Sequence, residues 1–152
     1  MCLYCRPQPI KTAENDIVCY KVVERVKDSY NYHDDGIYNN SLRKYNLSRS
    51  EVKYATPYYP FPVVLNKEYY EEDFHNCVAG SFSMGDEYDG YSFGPHMFHS
   101  FSILPKQYVC VESPVFVKCV IPKGSKYIEG VDDGMKLCYG SEKIIYKEIM
   151  EY

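Results

Sequence analysis

Short apolar runs bounded by polar turns recur along the chain and predict strands. The strongest runs are residues 17–23, 115–121 and 143–147, which are rich in Val and Ile. The first run stays apolar at successive positions until Lys21, a pattern typical of a strand covered on both faces. A Pro-Lys-Gly turn at residues 122–124 ends the second run. We therefore expect the three runs to lie in one sheet, with residues 17–23 near its centre.

Weaker patterns predict a few further elements between these runs. Residues 63–65 and 68–71 are strand-like, and residues 98–104 predict a strand or a buried turn. Residues 41–53 are compatible with at most one short helix. Residues 104–111 predict a second helix, because Pro105 favours the first helical position.

The remaining stretches predict long loops. Residues 28–50 and 79–95 are rich in Tyr, Asn, Asp, Ser and Gly, and the three prolines of residues 57–62 impose an extended backbone. The predicted fold is therefore α+β, with a mainly antiparallel, strand-rich sheet, few short helices and long Tyr-rich loops. A chain of 152 residues predicts a single domain, residues 1–152.

Charge and hydropathy exclude two classes of partner. The formal net charge is -4, and the 17 Lys and Arg residues form no run, so we expect no nucleic-acid partner. Apolar runs are shorter than the roughly 20 residues that a spanning helix needs, so we expect no membrane segment. The first residues lack a basic segment followed by an apolar one, which predicts no secretory signal.

Seven cysteines are irregularly spaced, which is not the pattern of a disulfide framework. Free thiols indicate a reducing cytosol, and we expect a cytoplasmic protein. Cys19, Cys119 and Cys138 fall in strand-like runs and are expected in the core. Cys2 and Cys5 have the spacing of a metal-binding pair, but no second close pair completes the four ligands of a structural zinc site.

Tyrosine is unusually frequent, with 18 Tyr, 7 Phe and no Trp. Tyrosine supplies rigid, amphipathic contact area, which favours a surface that binds a protein partner or a second copy of the chain. An AT-rich coding sequence is the alternative explanation of the same composition. Candidate binding residues in the aromatic segments are Tyr58, Tyr59, Phe61, His96 and His99.

His96 and His99 stand three positions apart, between Gly94-Pro95 and Phe101, where the residues favour extended backbone. In a strand this spacing sends the two side chains to opposite faces, so we expect no shared metal. Either imidazole has an ordinary pKa suited to a general base. We expect His99 to be buried beside the sheet and His96 to be exposed.

Several segments together carry a resemblance to known sequences, and they are residues 16–22, 56–58, 98–101, 118–127 and 139–145. On these segments the chain resembles a set of small uncharacterised proteins of gut Bacteroidetes and their phages. The resemblance implies a bacterial host cytoplasm and a compact α+β fold, and it implies no reaction.

The Ile-Pro-Lys-Gly turn ahead of a Glu-bearing final strand is similar to the ADP-ribosyltransferase fold. Those enzymes bind nicotinamide dinucleotide with a His or Arg on an early strand, a Tyr or Ser on a middle one and a late Glu. Here the early strand holds Tyr20 and Lys21, which departs from that pattern. The late glutamate is Glu129, Glu142 or Glu148. The resemblance implies Tyr20, His99 and Glu142 as catalytic candidates.

The sequence is compatible with three functions: an accessory protein that binds a protein partner through Tyr-rich loops, a divergent transferase using NAD, and a virion or structural component. We expect the first function, and we expect the protein to use no cofactor.

Overall fold

The computed structural model describes residues 2–5, 10–27, 36–57, 60–72, 74, 82–83, 89–92, 97–105, 113–131 and 136–150. Within these residues strands dominate, and the helix α1 spans Ile37–Lys44. The strands are β1 Cys2–Cys5, β2 Lys11–Thr12, β3 Ile17–Arg25, β4 Tyr54–Ala55, β5 Pro62–Val63, β6 Glu68–Tyr70, β7 Phe82–Ser83, β8 Asp89–Ser92, β9 Phe98–Phe101, β10 Val115–Ile121, β11 Lys126–Val131, β12 Leu137–Ser141 and β13 Lys143–Met150. Their pairings are antiparallel, which confirms the predicted fold class.

The three strongest runs of the sequence lie side by side in one sheet, whose main path is β6-β13-β10-β3-β9-β12-β11-β1-β8-β7. β3 and β10 pair along the whole of β10, from Val23 opposite Val115 to Ile17 opposite Ile121. β13 lies on the other side of β10 and continues to Met150, beyond the predicted end. The common sheet is thus confirmed, and β3 is an interior strand, the fourth of the ten on the main path.

The two faces of this central region carry separate hydrophobic clusters, because successive side chains of a strand point to opposite sides. We call one side the thiol face, since its cluster includes Cys19, Val23 and Cys119. The cluster on the other side, the phenyl face, includes Val22 and Phe116. Neighbouring residues of β3 therefore belong to different cores.

A β-bulge in β13 preserves this division. Lys118 pairs with Glu148, but the next residue of β10, Cys119, pairs with Tyr146, so Lys147 is the additional residue. Beyond the bulge, Ile149 packs with the thiol-face cluster and Met150 with the phenyl-face cluster.

α1 begins earlier than the sequence predicted, immediately after Gly36. Its buried residues Tyr38 and Leu42 lie one helical turn apart and pack with Val52 and Ala55. The prediction placed the helix later because asparagines are poor helix formers. One of them, Asn39, is buried and accepts a hydrogen bond from the Arg49 guanidinium, so tertiary contacts offset the low propensity.

The weaker predictions have mixed outcomes. The strands predicted near residues 63, 68 and 98 are present as β5, β6 and β9. Leu104 and Pro105 are not helical, and the rest of the predicted helix 104–111 lies outside the described residues. Within the described part of the chain, no helix is both long and apolar enough to cross a membrane.

Candidate functional site

Two of the three catalytic candidates lie near each other in the sheet. Tyr20 of β3 is directly opposite Phe101 of β9. The His99 ring packs edge-on against the Phe101 ring, with 5.1 Å between ring centroids. His99 is buried, as predicted, although it is itself part of strand β9 instead of an adjacent loop.

The environment of His99 favours its neutral form. Burial lowers the pKa of the His99 imidazole well below 6.5, and the positive charge of Lys21 lowers it further. At neutral pH the ring therefore carries no charge. A neutral imidazole buried against Phe101 is a packed core group, which agrees with the structural role expected for this histidine.

Glu142, the third catalytic candidate, stabilises a strand junction. Its carboxylate accepts a 2.8 Å hydrogen bond from the backbone N–H of Lys126, and its own backbone N–H donates to the Lys126 oxygen at 3.1 Å. Its backbone oxygen accepts from the Glu71 N–H at 2.8 Å. These three bonds join the start of β11, the end of β6 and the connection between β12 and β13.

Of the predicted binding residues, Phe61 packs into an aromatic cluster on the thiol face. Its ring meets Tyr45, Tyr69 and Phe98 in edge-to-face contacts, with centroids 5.8, 5.1 and 5.6 Å apart. Such contacts stabilise an aromatic core beyond the area buried. Tyr58, Tyr59 and His96 lie outside the described residues.

The predicted metal candidates, Cys2 and Cys5, contribute their backbones to β1, opposite Ser92 and Asp89 of β8. In the described part of the chain, no three His, Cys, Asp or Glu side chains lie together in the manner of a metal site.

A pair of buried thiols occupies the centre of the sheet. Cys19 of β3 and Cys119 of β10 are directly opposite each other, and both are free and fully buried. The Cys119 thiol donates a 3.5 Å hydrogen bond to the Val117 backbone oxygen. Its proximity to Cys19 lowers the pKa of the Cys19 thiol, with smaller contributions from Ser100 and from the charge of Lys21. Burial raises the pKa of Cys119 well above 9.0. The two thiols are therefore inequivalent, and Cys19 is the more acidic.

Lys21 places its ammonium group beside these thiols. It lies two residues after Cys19, on the same face of β3, and its Nζ donates a 2.6 Å hydrogen bond to the backbone oxygen of His99. Burial lowers the pKa of Lys21 to about 8, although Cys119 and Cys19 each oppose that shift. The ammonium is therefore charged at neutral pH, in contact with a mainly apolar core.

Two hydroxyl groups extend the polar cluster. The Tyr146 hydroxyl is fully buried and has no hydrogen-bond partner in the described residues, and burial raises the pKa of this phenol well above 10.0. The Ser100 hydroxyl lies close enough to Cys19 to lower the pKa of that thiol, but without the geometry of a well-formed hydrogen bond. The thiol face therefore holds a thiol pair, an ammonium and two hydroxyls, which we call the thiol–lysine cluster (Cys19, Lys21, Ser100, Cys119 and Tyr146).

The phenyl side of the same strands is only partly covered. Val18, Val120 and Ile145 lie in one cross-strand row, since Val18 pairs with Val120 and Val120 pairs with Ile145. Val18 is 44% exposed, and the other two are half-buried. On the neighbouring strand Tyr70, 40% exposed, pairs with Lys143, whose Nζ lies 5.7 Å from the Tyr70 ring centroid. We call Val18, Tyr70, Val120 and Ile145 the open face.

The sequence placed Cys19 and Cys119 in the core but did not reveal their pairing. Alternation along β3 does indicate that Cys19 and Lys21 share a face. The strand register that brings Cys119 opposite Cys19 depends on contacts between residues about 100 positions apart, which no local pattern specifies.

The chain matches no protein-family model, and comparisons with curated proteins and with solved structures found no match.

Proposed function

We propose that this protein acts by binding a protein partner and that the open face forms the contact. The observation that carries the proposal is the unbroken row Val18–Val120–Ile145, which crosses three adjacent interior strands and stays accessible to solvent. Singly exposed apolar residues are common on protein surfaces, but a contiguous apolar row in the middle of a sheet is typical of an interaction surface.

The residues around the row suit a protein partner. Tyr70 adds an aromatic ring diagonally across from Ile145, because it is opposite Lys143 where β6 pairs with β13. Tyrosine is enriched in protein interfaces, where its ring is buried and its hydroxyl remains near water. Lys143 and Glu68 pair with Tyr70 and Ile145, so charges of both signs border the apolar row. Mixed charges at a rim select a complementary protein surface and do not favour a phosphate backbone.

The proposed setting is the cytoplasm of a bacterial host, with the protein as an accessory of the host or of a phage. The free thiols of Cys19 and Cys119 support a reducing compartment. The Tyr-rich loops outside the described residues remain a predicted second part of the contact. Transfer of ADP-ribose from NAD and a role in a virion stay predictions, since no contact in the described residues favours either.

Site-specific photocrosslinking tests the proposal directly. A photoreactive phenylalanine analogue would replace Val18 in the full chain, expressed in a gut Bacteroidetes strain. The control carries the analogue at Ile103, which is 77% exposed and lies outside the open face. We expect a discrete adduct with one other protein from position 18 and little from position 103. Equal labelling at both positions would contradict the proposal.

A binding titration with the crosslinked protein then provides the quantitative test. We expect Val18→Glu to weaken binding at least tenfold, because it introduces a charge into the apolar row, and Ile103→Glu to leave binding unchanged. Val18 is exposed enough for the substitution to leave folding intact, which circular dichroism verifies. An adduct between two copies of this chain would reassign the open face to self-association and overturn the proposed partner.

A further inference from the structure

The thiol–lysine cluster has the geometry of a redox site. Cys19 and Cys119 are directly opposed on adjacent antiparallel strands. Residues so opposed have Cα atoms about 4.5 or 5.5 Å apart, which lies within the range that a disulfide bond spans. The two thiols are also close enough for Cys119 to lower the pKa of Cys19, so little backbone movement separates the dithiol from the disulfide.

We propose that Cys19 and Cys119 are a reversible oxidation site that forms a disulfide between β3 and β10, with a hydroperoxide as the oxidant. The site is independent of the open face, because Cys19 and Val18 point to opposite sides of β3.

The chemistry assigns a different step to each thiol. The Cys19 thiolate attacks one peroxide oxygen, the O–O bond breaks, and Cys19 becomes a sulfenic acid while the other oxygen leaves as hydroxide or an alkoxide. The Cys119 sulfur then attacks the Cys19 sulfur, the S–O bond breaks, and hydroxide leaves with the Cys119 proton as water. The two thiols lose two electrons in total, which reduce the peroxide. Cys19 is assigned the attack because Lys21 lies on the same face of β3 two residues away, and Cys119 and Lys21 lower the pKa of Cys19.

Lys21 is a positioning residue for this reaction. Its ammonium is fixed by the 2.6 Å bond to the His99 oxygen and stabilises negative charge on Cys19 through space. In the described part of the chain, the ladder between β3 and β9 consists of Tyr20 opposite Phe101. Cys19 is fully buried, so the oxidant reaches it through local opening of the sheet.

The other cysteines provide an internal comparison. Cys138 is also a buried cysteine, but its β-strand partner is Phe101 instead of a cysteine, and its thiol donates to the Lys136 oxygen at 3.2 Å. The proposal therefore predicts selective oxidation of Cys19 with Cys119, while Cys138 remains reduced.

The experiment treats the folded full-length chain with hydrogen peroxide and maps its peptides without reduction. Cys2, Cys5, Cys77 and Cys110 are replaced by Ser to remove competing thiols. We expect a peptide pair linked through Cys19 and Cys119, loss of two hydrogens from the intact mass, and full reversal by dithiothreitol. In Cys119→Ala we expect a dimedone-reactive sulfenic acid at Cys19 instead. Recovery of both thiols unmodified, or oxidation of Cys138 at the same rate, would overturn the proposal.

Lys21→Met tests the positioning role, with Lys21→Arg as the charge-conserving control. At neutral pH we expect the Met variant to form the disulfide about tenfold more slowly, because less Cys19 is ionised, and its pH–rate profile to move to higher pH. The Arg variant is expected to keep the wild-type profile. Identical profiles in all three proteins would remove Lys21 from the mechanism. The wild-type peptide map tests the disulfide even where a variant fails to fold.

Discussion

Lys21 donates a 2.6 Å hydrogen bond from Nζ to the backbone oxygen of His99 and so connects β3 to β9. In the described residues the ladder between these strands consists of Tyr20 opposite Phe101, so this side-chain bond supplements a short seam. The same contact holds a cation in a buried position, where burial lowers the pKa of Lys21 to about 8.

The first prediction concerns the pH dependence of stability at Lys21. The pKa of Lys21 is about 8 in the folded chain and has its ordinary value of 10.5 when unfolded. Between these values the unfolded state holds the extra proton, so the free energy of unfolding rises with pH, by about 3 kcal/mol in total. Lys21→Met lacks this contribution. Urea unfolding at about pH 7 and about pH 10 should show the wild type gaining stability relative to the variant.

The comparison with Lys21→Met is necessary because other buried groups have the opposite effect. Burial raises the pKa of Cys119 and Tyr146, so the folded state keeps their protons longer and loses stability in alkali. Both groups are present in the wild type and in the variant. Parallel pH profiles of the two proteins would show that Lys21 is not buried as a cation.

The second prediction compares two buried tyrosines whose rings contact each other, Tyr69 and Tyr146, with centroids 5.5 Å apart. The Tyr69 hydroxyl accepts a 3.0 Å bond from the Val64 N–H, whereas the Tyr146 hydroxyl has no partner in the described residues. Tyr69→Phe should therefore cost about 1–2 kcal/mol, and Tyr146→Phe should leave stability unchanged or raise it by about 1 kcal/mol. Thermal and denaturant unfolding measure the stability of both variants. Equal losses of stability would contradict the conclusion that the Tyr69 hydroxyl is hydrogen-bonded and the Tyr146 hydroxyl is not.

The third prediction concerns the turn between β10 and β11. Gly124 has φ +89, and a Cβ built there has no heavy atom within 4 Å. Gly124→Ala should therefore destabilise the fold by about 1 kcal/mol through backbone strain alone, without a steric clash. Asn66, with φ 62, is the matched position, where Asn66→Gly should cost little or nothing. If Gly124→Ala destabilises the fold by well over about 1 kcal/mol, the added methyl group makes a steric clash and backbone strain alone does not explain the loss.

The fourth prediction distinguishes a structural Glu142 from a catalytic one. The carboxylate accepts from the Lys126 N–H, and a glutamine amide oxygen can accept the same bond. Glu142→Gln should keep most of the stability, whereas Glu142→Leu should lose about 1–3 kcal/mol. Unfolding in urea measures both variants. If Glu142→Leu is as stable as wild type, the hydrogen bond to the Lys126 N–H contributes little to stability. Glu142 would then again be a candidate for transferase chemistry.

The centre of the sheet was predictable because its signal is local. Residues 17–23 and 115–121 combine β-branched composition with clear turn residues at their ends, and each pattern contains enough information to specify a strand. α1 was placed too late because its asparagines disfavour helix, while the contact between Asn39 and Arg49 that offsets this is tertiary.

The site was predictable only in part. The burial of His99 followed from the aromatic residues around it, but the pairing of Cys19 with Cys119 did not, since register depends on distant partners. The open face was not predictable for the same reason, because it too depends on contacts between distant residues. Val18, Val120 and Ile145 look like ordinary core residues in the sequence, and their exposure depends on which parts of the sheet other segments cover.

The bulge at Lys147 also has an evolutionary consequence. A one-residue insertion or deletion within β3 would exchange the environments of Val22 and Val23 and drive polar groups into both interiors. At Lys147, by contrast, the strand already contains one residue more than its partner. Natural variants of this chain should therefore change length near Lys147 far more readily than anywhere in β3.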